Sequence, residues 1–284
     1  MLTVQRYKHP FLFYSLSTII PWIFWFGAGY LSRHTAGSPF YLKLSGILGV
    51  VGLLAPVAVA LAFMLPNRAL RNDFFSRFFN FRGIKPIYIA LTLLLMLASI
   101  LLAQAISLLF GYSATQFRFA EHYSFASSVL PVMFILIVAP LLEELAWHSY
   151  GTDCLRQRFS LFTTSVIFAL FWGVWHFPLS TIEGYYHSNV VESGVIYSLN
   201  FLFSLVPFVL IMNWLYYKAN RNILVPIVFH ITAGLFNEIF ATHPMSKVIQ
   251  TGLLIIVSVV IVLRERSFFF GKEYSVPCHR DNRA

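Results

Sequence analysis

The sequence predicts an all-α, polytopic membrane protein with eight transmembrane helices. Of its 284 residues, 58% are hydrophobic and only 11% are charged, whereas charged residues make up about 25% of a soluble domain. The apolar residues form continuous runs of membrane length, and this favours helices because the strands of a membrane barrel would alternate in polarity. We therefore expect one integral-membrane domain over residues 1–284.

Each predicted helix corresponds to an apolar run of about 17–25 residues. The first run follows Arg6 and Lys8 but is too long for the core of a signal peptide, so we expect it to be retained as a helix. The eight runs are 11–31, 44–65, 88–110, 125–147, 161–179, 195–216, 223–241 and 248–263.

The positions of the basic residues predict that both termini lie in the cytoplasm. Cytoplasmic loops of membrane proteins carry an excess of Lys and Arg. With both termini inside, 16 of the 20 Lys and Arg residues fall on the cytoplasmic side, and this alternation supports the eight spans. It also explains the net charge of +9 without a nucleic-acid partner, so the expected surroundings are the lipid bilayer. Cys154 and Cys278 both fall on the reducing side and are expected to be free thiols.

Two adjacent carboxylates, Glu143 and Glu144, end the fourth apolar run. Ionisable groups inside a membrane are costly and usually functional. Two histidines, His176 and His230, lie in later apolar runs. Together these four side chains indicate a hydrolytic centre within the membrane.

The spacing of the polar residues predicts which carboxylate is free to act. Neighbours on a helix diverge by about 100°, so Glu143 and Glu144 face different directions. Glu144 and His148 are four residues apart and share a face, which leaves Glu143 as the candidate base. Asn237 lies seven residues beyond His230 on nearly the same face and is a supporting candidate. His187 and His243 fall in exterior loops, where we expect them to be solvated.

Two chemistries can use one glutamate and two histidines. In the first, Glu143 and a histidine activate water while the other histidine and an amide stabilise the oxyanion. In the second, Glu143, His176 and His230 bind a metal ion that lowers the pKa of the water. The sequence contains no HExxH motif, so we expect no cofactor, with zinc as the alternative.

Three segments resemble the CPBP family of intramembrane proteases, which includes the type II CAAX prenyl endopeptidases and the bacterial Abi proteins. They are EELAWHSYG followed by RQRF, then FALFWGVWHFPL, then PIVFHITAGLFN, and the resemblance covers residues 125–241. It implies an eight-helix protease core that cleaves a membrane-associated protein or peptide, in some members after a prenylated cysteine. It further implies that Glu143 is the water-activating base, with His176 beside it and His230 at the oxyanion site.

The chain departs from the family pattern at three positions. His148 stands where the family has Arg, and Trp172 stands where it has Phe. Gly234 stands where the family has an Asn, and it has no side chain with which to donate a hydrogen bond. Asn237 is the conceivable substitute. A catalytically silent member with a binding, immunity or regulatory role is therefore the alternative function, and a proton-coupled transporter is a third.

The predicted spans place Glu143 and His176 at different depths. The fourth run passes from outside to inside and ends near Glu143, whereas the fifth runs outward and ends near His176. The two would differ by about 15–20 Å in depth. Either the boundaries differ by several residues, with the fourth helix continuing past Trp147, or the spans are tilted or broken.

The expected location is a bacterial or archaeal plasma membrane.

Overall fold

The computed structural model describes residues 6–34 and 38–271, and its regular secondary structure there is helical. One isolated antiparallel bridge pairs Phe119 with Phe240. The α-helices are α1 (Pro10–His34), α2 (Pro39–Met64), α3 (Arg68–Ser76), α4 (Pro86–Leu108), α5 (Val132–Ala146), α6 (Thr152–Arg156), α7 (Leu161–Trp175), α8 (Tyr186–Ser193), α9 (Val195–Lys218), α10 (Leu224–Glu238), α11 (Pro244–Arg264) and α12 (Arg266–Phe270).

Among the described residues, seven helical segments are long and apolar enough to cross a membrane, which confirms the all-α membrane fold. Two of them are composite: Val132–Arg156 joins α5 to α6, and Leu161–Thr181 extends α7 by a short 3₁₀ turn. The seventh predicted span, 223–241, corresponds to α10, which has only 15 residues. That length spans about 22 Å, less than the roughly 30 Å of a bilayer core. The count of eight and the orientation of the termini stay predictions.

The fourth span begins and ends later than predicted, at Val132 and Arg156 in place of 125 and 147. Its start is delayed because Ser127 Oγ accepts hydrogen bonds from the amides of Val129 and Leu130, which forms a turn before the helix. Its end is delayed because a π-helical turn, Trp147–Gly151, passes directly into α6. No proline interrupts the helix there.

This shift removes the predicted difference in depth between the two catalytic candidates. Glu143 lies 13 residues before Arg156, and His176 lies 15 residues after Leu161. Since those two ends are close in sequence and the helices run in opposite directions, both candidates lie about 20–22 Å from the same end of the bundle. The alternative in which the fourth helix continues past Trp147 is therefore the one observed.

A buried cluster of charges joins the helices at this same end of the bundle, near Arg156 and Leu161. Arg77 Nη1 lies 2.9 Å from Asp153 Oδ2, and Arg221 Nη2 lies 3.0 Å from Asp73 Oδ2 and 2.5 Å from Asp153 Oδ2. These contacts join α3 and the α9–α10 turn to α6. Arg77 and Arg221, two of the basic residues assigned to cytoplasmic loops from the sequence, are therefore buried in ion pairs. Cys154 is a buried free thiol, and Cys278 lies outside the described residues.

Candidate active site

One cavity of about 440 Å³ brings the three catalytic candidates together. Glu143 from α5, His176 at the end of α7 and His230 from α10 all line it. The three come from distant parts of the sequence, and only the matched depth of α5 and α7 allows them to meet. The rest of the wall is mostly apolar and includes Met96 and Leu254.

Glu143 is almost fully buried, with 8% of its surface exposed. The indole nitrogen of Trp172 donates a hydrogen bond of 2.9 Å to Glu143 Oε2. His176 Nε2 lies 3.8 Å from the same oxygen, which is too far for a direct hydrogen bond. The other ring nitrogen, His176 Nδ1, lies 2.7 Å from the carbonyl of Trp172, so Nδ1 carries a proton and Nε2 faces the carboxylate.

Glu144 is fully buried and contacts two histidines, one with each carboxylate oxygen. His230 Nδ1 lies 2.8 Å from Oε1, and His148 Nδ1 makes a short hydrogen bond to Oε2. The expected contact between Glu144 and His148 is present, and Glu143 points elsewhere, towards Trp172. Glu144 therefore fixes the ring of His230 in the cavity wall.

A chain of hydrogen bonds holds the ring of His148 in place. The hydroxyl of Ser165 donates to the carbonyl of Leu161 at 2.8 Å, and its oxygen accepts from Asn213 Nδ2 at 2.9 Å. Asn213 Oδ1 then faces His148 Nε2 at 2.8 Å. Because Nδ1 faces the Glu144 carboxylate, His148 joins Glu144 to Asn213 at the position where the family pattern has Arg.

Gly234 and Asn237 line the same cavity. A Cβ placed on Gly234 would meet Leu136 Cδ2 at 3.7 Å, an ordinary van der Waals distance, so the site has room for a side chain. Asn237 Oδ1 is buried, and no hydrogen-bond partner for it is found among the described residues. The structure thus leaves the amide of Asn237 available to a bound peptide.

The expectation that His187 is solvated is wrong. Both of its ring nitrogens are buried, and neither has a hydrogen-bond partner within the described part of the chain. Its ring stacks on His176 with 4.7 Å between centroids. His187 lies on α8, which folds over the cavity, and burial lowers its pKa to about 3. The polar sequence around it is typical of a loop and gives no signal of this burial.

The described residues contain no group of three His, Cys, Asp or Glu side chains that could hold a metal ion. Glu144, not Glu143, is the carboxylate that pairs with His230 Nδ1.

Comparisons with known proteins point to the same part of the chain. A family model described as "Type II CAAX prenyl endopeptidase Rce1-like" matches residues 125–236, which include Glu143, His176 and His230. The chain is also 36% identical to the CAAX prenyl protease 2 of Methanococcus maripaludis over 272 residues. That similarity covers 95% of this chain and 99% of the relative.

Proposed function

Because this chain belongs to the type II CAAX prenyl endopeptidase family, we propose that it hydrolyses a peptide bond beside a lipidated cysteine in a membrane-associated protein. It is an integral-membrane protease by family and fold. The convergence of Glu143, His176 and His230 on one cavity is the observation that carries the proposed site.

Glu143 is the general base. A carboxylate has about four acceptor sites, so the hydrogen bond from Trp172 leaves capacity for a water molecule. The 3.8 Å between Glu143 Oε2 and His176 Nε2 suits an oxygen atom that hydrogen-bonds to both. His176 thus orients the nucleophile while Glu143 takes its proton.

His230 stabilises the negative charge that develops on the carbonyl oxygen. Glu144 accepts the proton of Nδ1, so Nε2 faces away from Glu144, and His230 donates from Nε2 to the oxyanion as an imidazolium whose charge the Glu144 carboxylate stabilises. His148 keeps Glu144 oriented, and Asn237 is the supporting amide in the same cavity.

Hydrolysis proceeds in two steps. The water oxygen bonds to the carbonyl carbon as its proton moves to Glu143. The carbon–nitrogen bond then breaks, and Glu143 returns the proton to the leaving amine. The products are a carboxylate on the cysteine side and a short peptide with a free amine. The apolar wall of the cavity accommodates the lipid-bearing end of the substrate.

The test is cleavage of a fluorogenic peptide that ends in a farnesylated Cys-a-a-X sequence, by the purified protein in detergent. Glu143→Gln is expected to lower kcat by roughly 10²–10⁴, the usual contribution of a general base. Glu192→Gln, which alters an exposed glutamate on α8, is the matched control and should leave kcat unchanged. Each protein is assayed with and without a chelator.

Unchanged cleavage by Glu143→Gln would overturn the site assignment. Cleavage that is lost with chelator and restored by zinc would transfer the mechanism to a metal ion. Equal cleavage of the peptide without its lipid would leave the protease intact but remove lipidated cysteine from the substrate class.

A further inference from the structure

A second charged group lies in the catalytic cavity, where α10 ends and α11 begins. Glu238 and Lys247 both line the cavity that holds Glu143. Glu238 accepts hydrogen bonds of 2.8 Å from both the amide and the hydroxyl of Ser124, one on each oxygen. Lys247 Nζ lies 3.8 Å from Glu238 Oε1.

Lys247 has unused capacity to bind an anion. Its ammonium group has three N–H donors, and it donates no hydrogen bond to any described residue at normal distance. Glu238 holds the ammonium in the cavity without satisfying it, because 3.8 Å exceeds a hydrogen bond. Lys247 also lies in the first turn of α11, where the helix dipole adds positive potential.

The separation of His230 and Glu238 along α10 is comparable to the length of a short peptide. His230 and Glu238 are eight residues apart on the continuous helix α10, which is about 12 Å along its axis. Three residues of extended chain span about 10–11 Å. A peptide whose scissile carbonyl lies at His230 would therefore place a carboxylate three residues later beside Glu238 and Lys247.

We infer that Lys247 is the residue that binds the free C-terminal carboxylate of the substrate. This inference rests on the proposed function and identifies the end of the substrate opposite to the lipid. Asn237 Oδ1, one residue before Glu238 and without a partner in the described residues, can accept a hydrogen bond from an amide of the same three-residue segment.

The experiment compares two farnesylated peptides that differ only at the C-terminus, one with a free acid and one with an amide. Wild type should cleave the acid with a kcat/KM roughly tenfold to a hundredfold higher, the range of one hydrogen bond to a charged group. Lys247→Met should reduce this ratio to about one, and Lys247→Arg should restore part of it. A series with two, three or four residues after the cysteine should peak at three.

Lys218→Met is the matched control. Lys218 has the same side-chain exposure as Lys247, 23%, and is also paired with a glutamate, Glu265, but it does not line the cavity. The ratio of kcat/KM for the free-acid peptide to kcat/KM for the amide peptide should be the same in Lys218→Met as in wild type.

Equal cleavage of acid and amide by wild type would overturn the inference while leaving the protease activity in place. A ratio that persists in Lys247→Met would assign the selection to another group. If Lys247→Met does not fold, the wild-type comparison and Lys247→Arg still decide. Cleavage of neither peptide would remove the proposed function and this inference with it.

Discussion

Trp172 donates a hydrogen bond of 2.9 Å to the carboxylate of Glu143 at a position where the family pattern has Phe. A phenyl ring could keep the stacking of Trp172 on Phe168 and its edge contact with His230, but it could not donate. In this chain the indole N–H of Trp172 therefore restrains Glu143, the proposed base, whereas the Phe of the family pattern has no donor at this position.

Trp172→Phe tests the value of that restraint. We expect kcat/KM to fall roughly tenfold to a hundredfold, because one hydrogen bond to a charged group is lost while the packing is kept. Trp175→Phe is the control, since its indole nitrogen donates to the carbonyl of Ser17 and not to the site. An unchanged kcat/KM in Trp172→Phe would show that Glu143 needs no such restraint.

Restoring the family amide should increase activity. The site beside Gly234 has room for a side chain, since Leu136 Cδ2 lies 3.7 Å from the point that a Cβ at this residue would occupy. If the missing donor limits the reaction, Gly234→Asn should raise kcat by up to roughly 10²–10³, the value of one oxyanion donor. Gly234→Leu is the apolar control, and steady-state kinetics are the measurement.

Asn237 offers an internal check on that result. If its amide already serves the oxyanion, Gly234→Asn should have little effect and Asn237→Leu should lower kcat. If both variants leave kcat unchanged, no side-chain amide at either position contributes.

The contact between His148 and Glu144 should stabilise the fold. His148→Leu leaves a buried carboxylate oxygen of Glu144 without its partner, and an unsatisfied buried group costs about 1–3 kcal/mol, more when it is charged. His148→Arg supplies N–H donors again, so its thermal midpoint in detergent should lie between those of His148→Leu and wild type. A leucine variant as stable as wild type would show that this contact does not stabilise the fold.

The buried His187 should make stability depend on pH. Its folded pKa is about 3 because of burial, against about 6.5 in an unfolded chain. Between these values the unfolded state binds more protons, so stability is unaffected above about pH 6.5 and falls by up to about 1.4 kcal/mol per pH unit below it. The groups around the ring are His176, Tyr185, Tyr186 and Phe201.

Thermal midpoints at pH 5 and pH 7 test this dependence. His187→Phe keeps an aromatic ring and should show a smaller difference between the two values. His122→Phe, which changes an exposed histidine, should behave like wild type. Identical pH dependence in all three proteins would mean that His187 is accessible to protons in the folded state.

The distribution of basic residues predicts that α8 faces the exterior. In a Cys278→Ser background, Glu192→Cys should react with an impermeant maleimide in intact cells, because Glu192 is exposed on α8. Arg82→Cys, on the exposed loop after α3, should react only after permeabilisation. The reverse pattern would invert the orientation and place the cavity mouth in the cytoplasm.

The sequence is sufficient to predict the groups whose chemistry is unusual for their surroundings. Glu143 and Glu144 are carboxylates in an apolar run, and the four-residue spacing to His148 indicates its contact with Glu144. Asn213 cannot be identified in this way, because its partner is 65 residues away and an asparagine near a helix end is common.

The differences between prediction and structure also have physical reasons. Hydropathy misplaces the end of the fourth span because a π-helical turn leaves no mark in it. The polar neighbours of His187 suggest a solvated loop, but its burial depends on how α8 packs over the cavity. The local sequence indicates the secondary structure and exposure that a segment prefers on its own, whereas the π-helical turn and the burial of His187 depend on tertiary contacts.

The hydrogen-bond chain from Leu161 to Glu144 makes the residue at position 148 depend on the residue at position 213. The second ring nitrogen of a histidine at 148 needs a polar partner, and Asn213 is that partner. An arginine at position 148 is longer and has five N–H donors, so it would need a different set of acceptors. We therefore expect the two positions to covary, so that histidine at 148 is accompanied by an amide or another acceptor at 213.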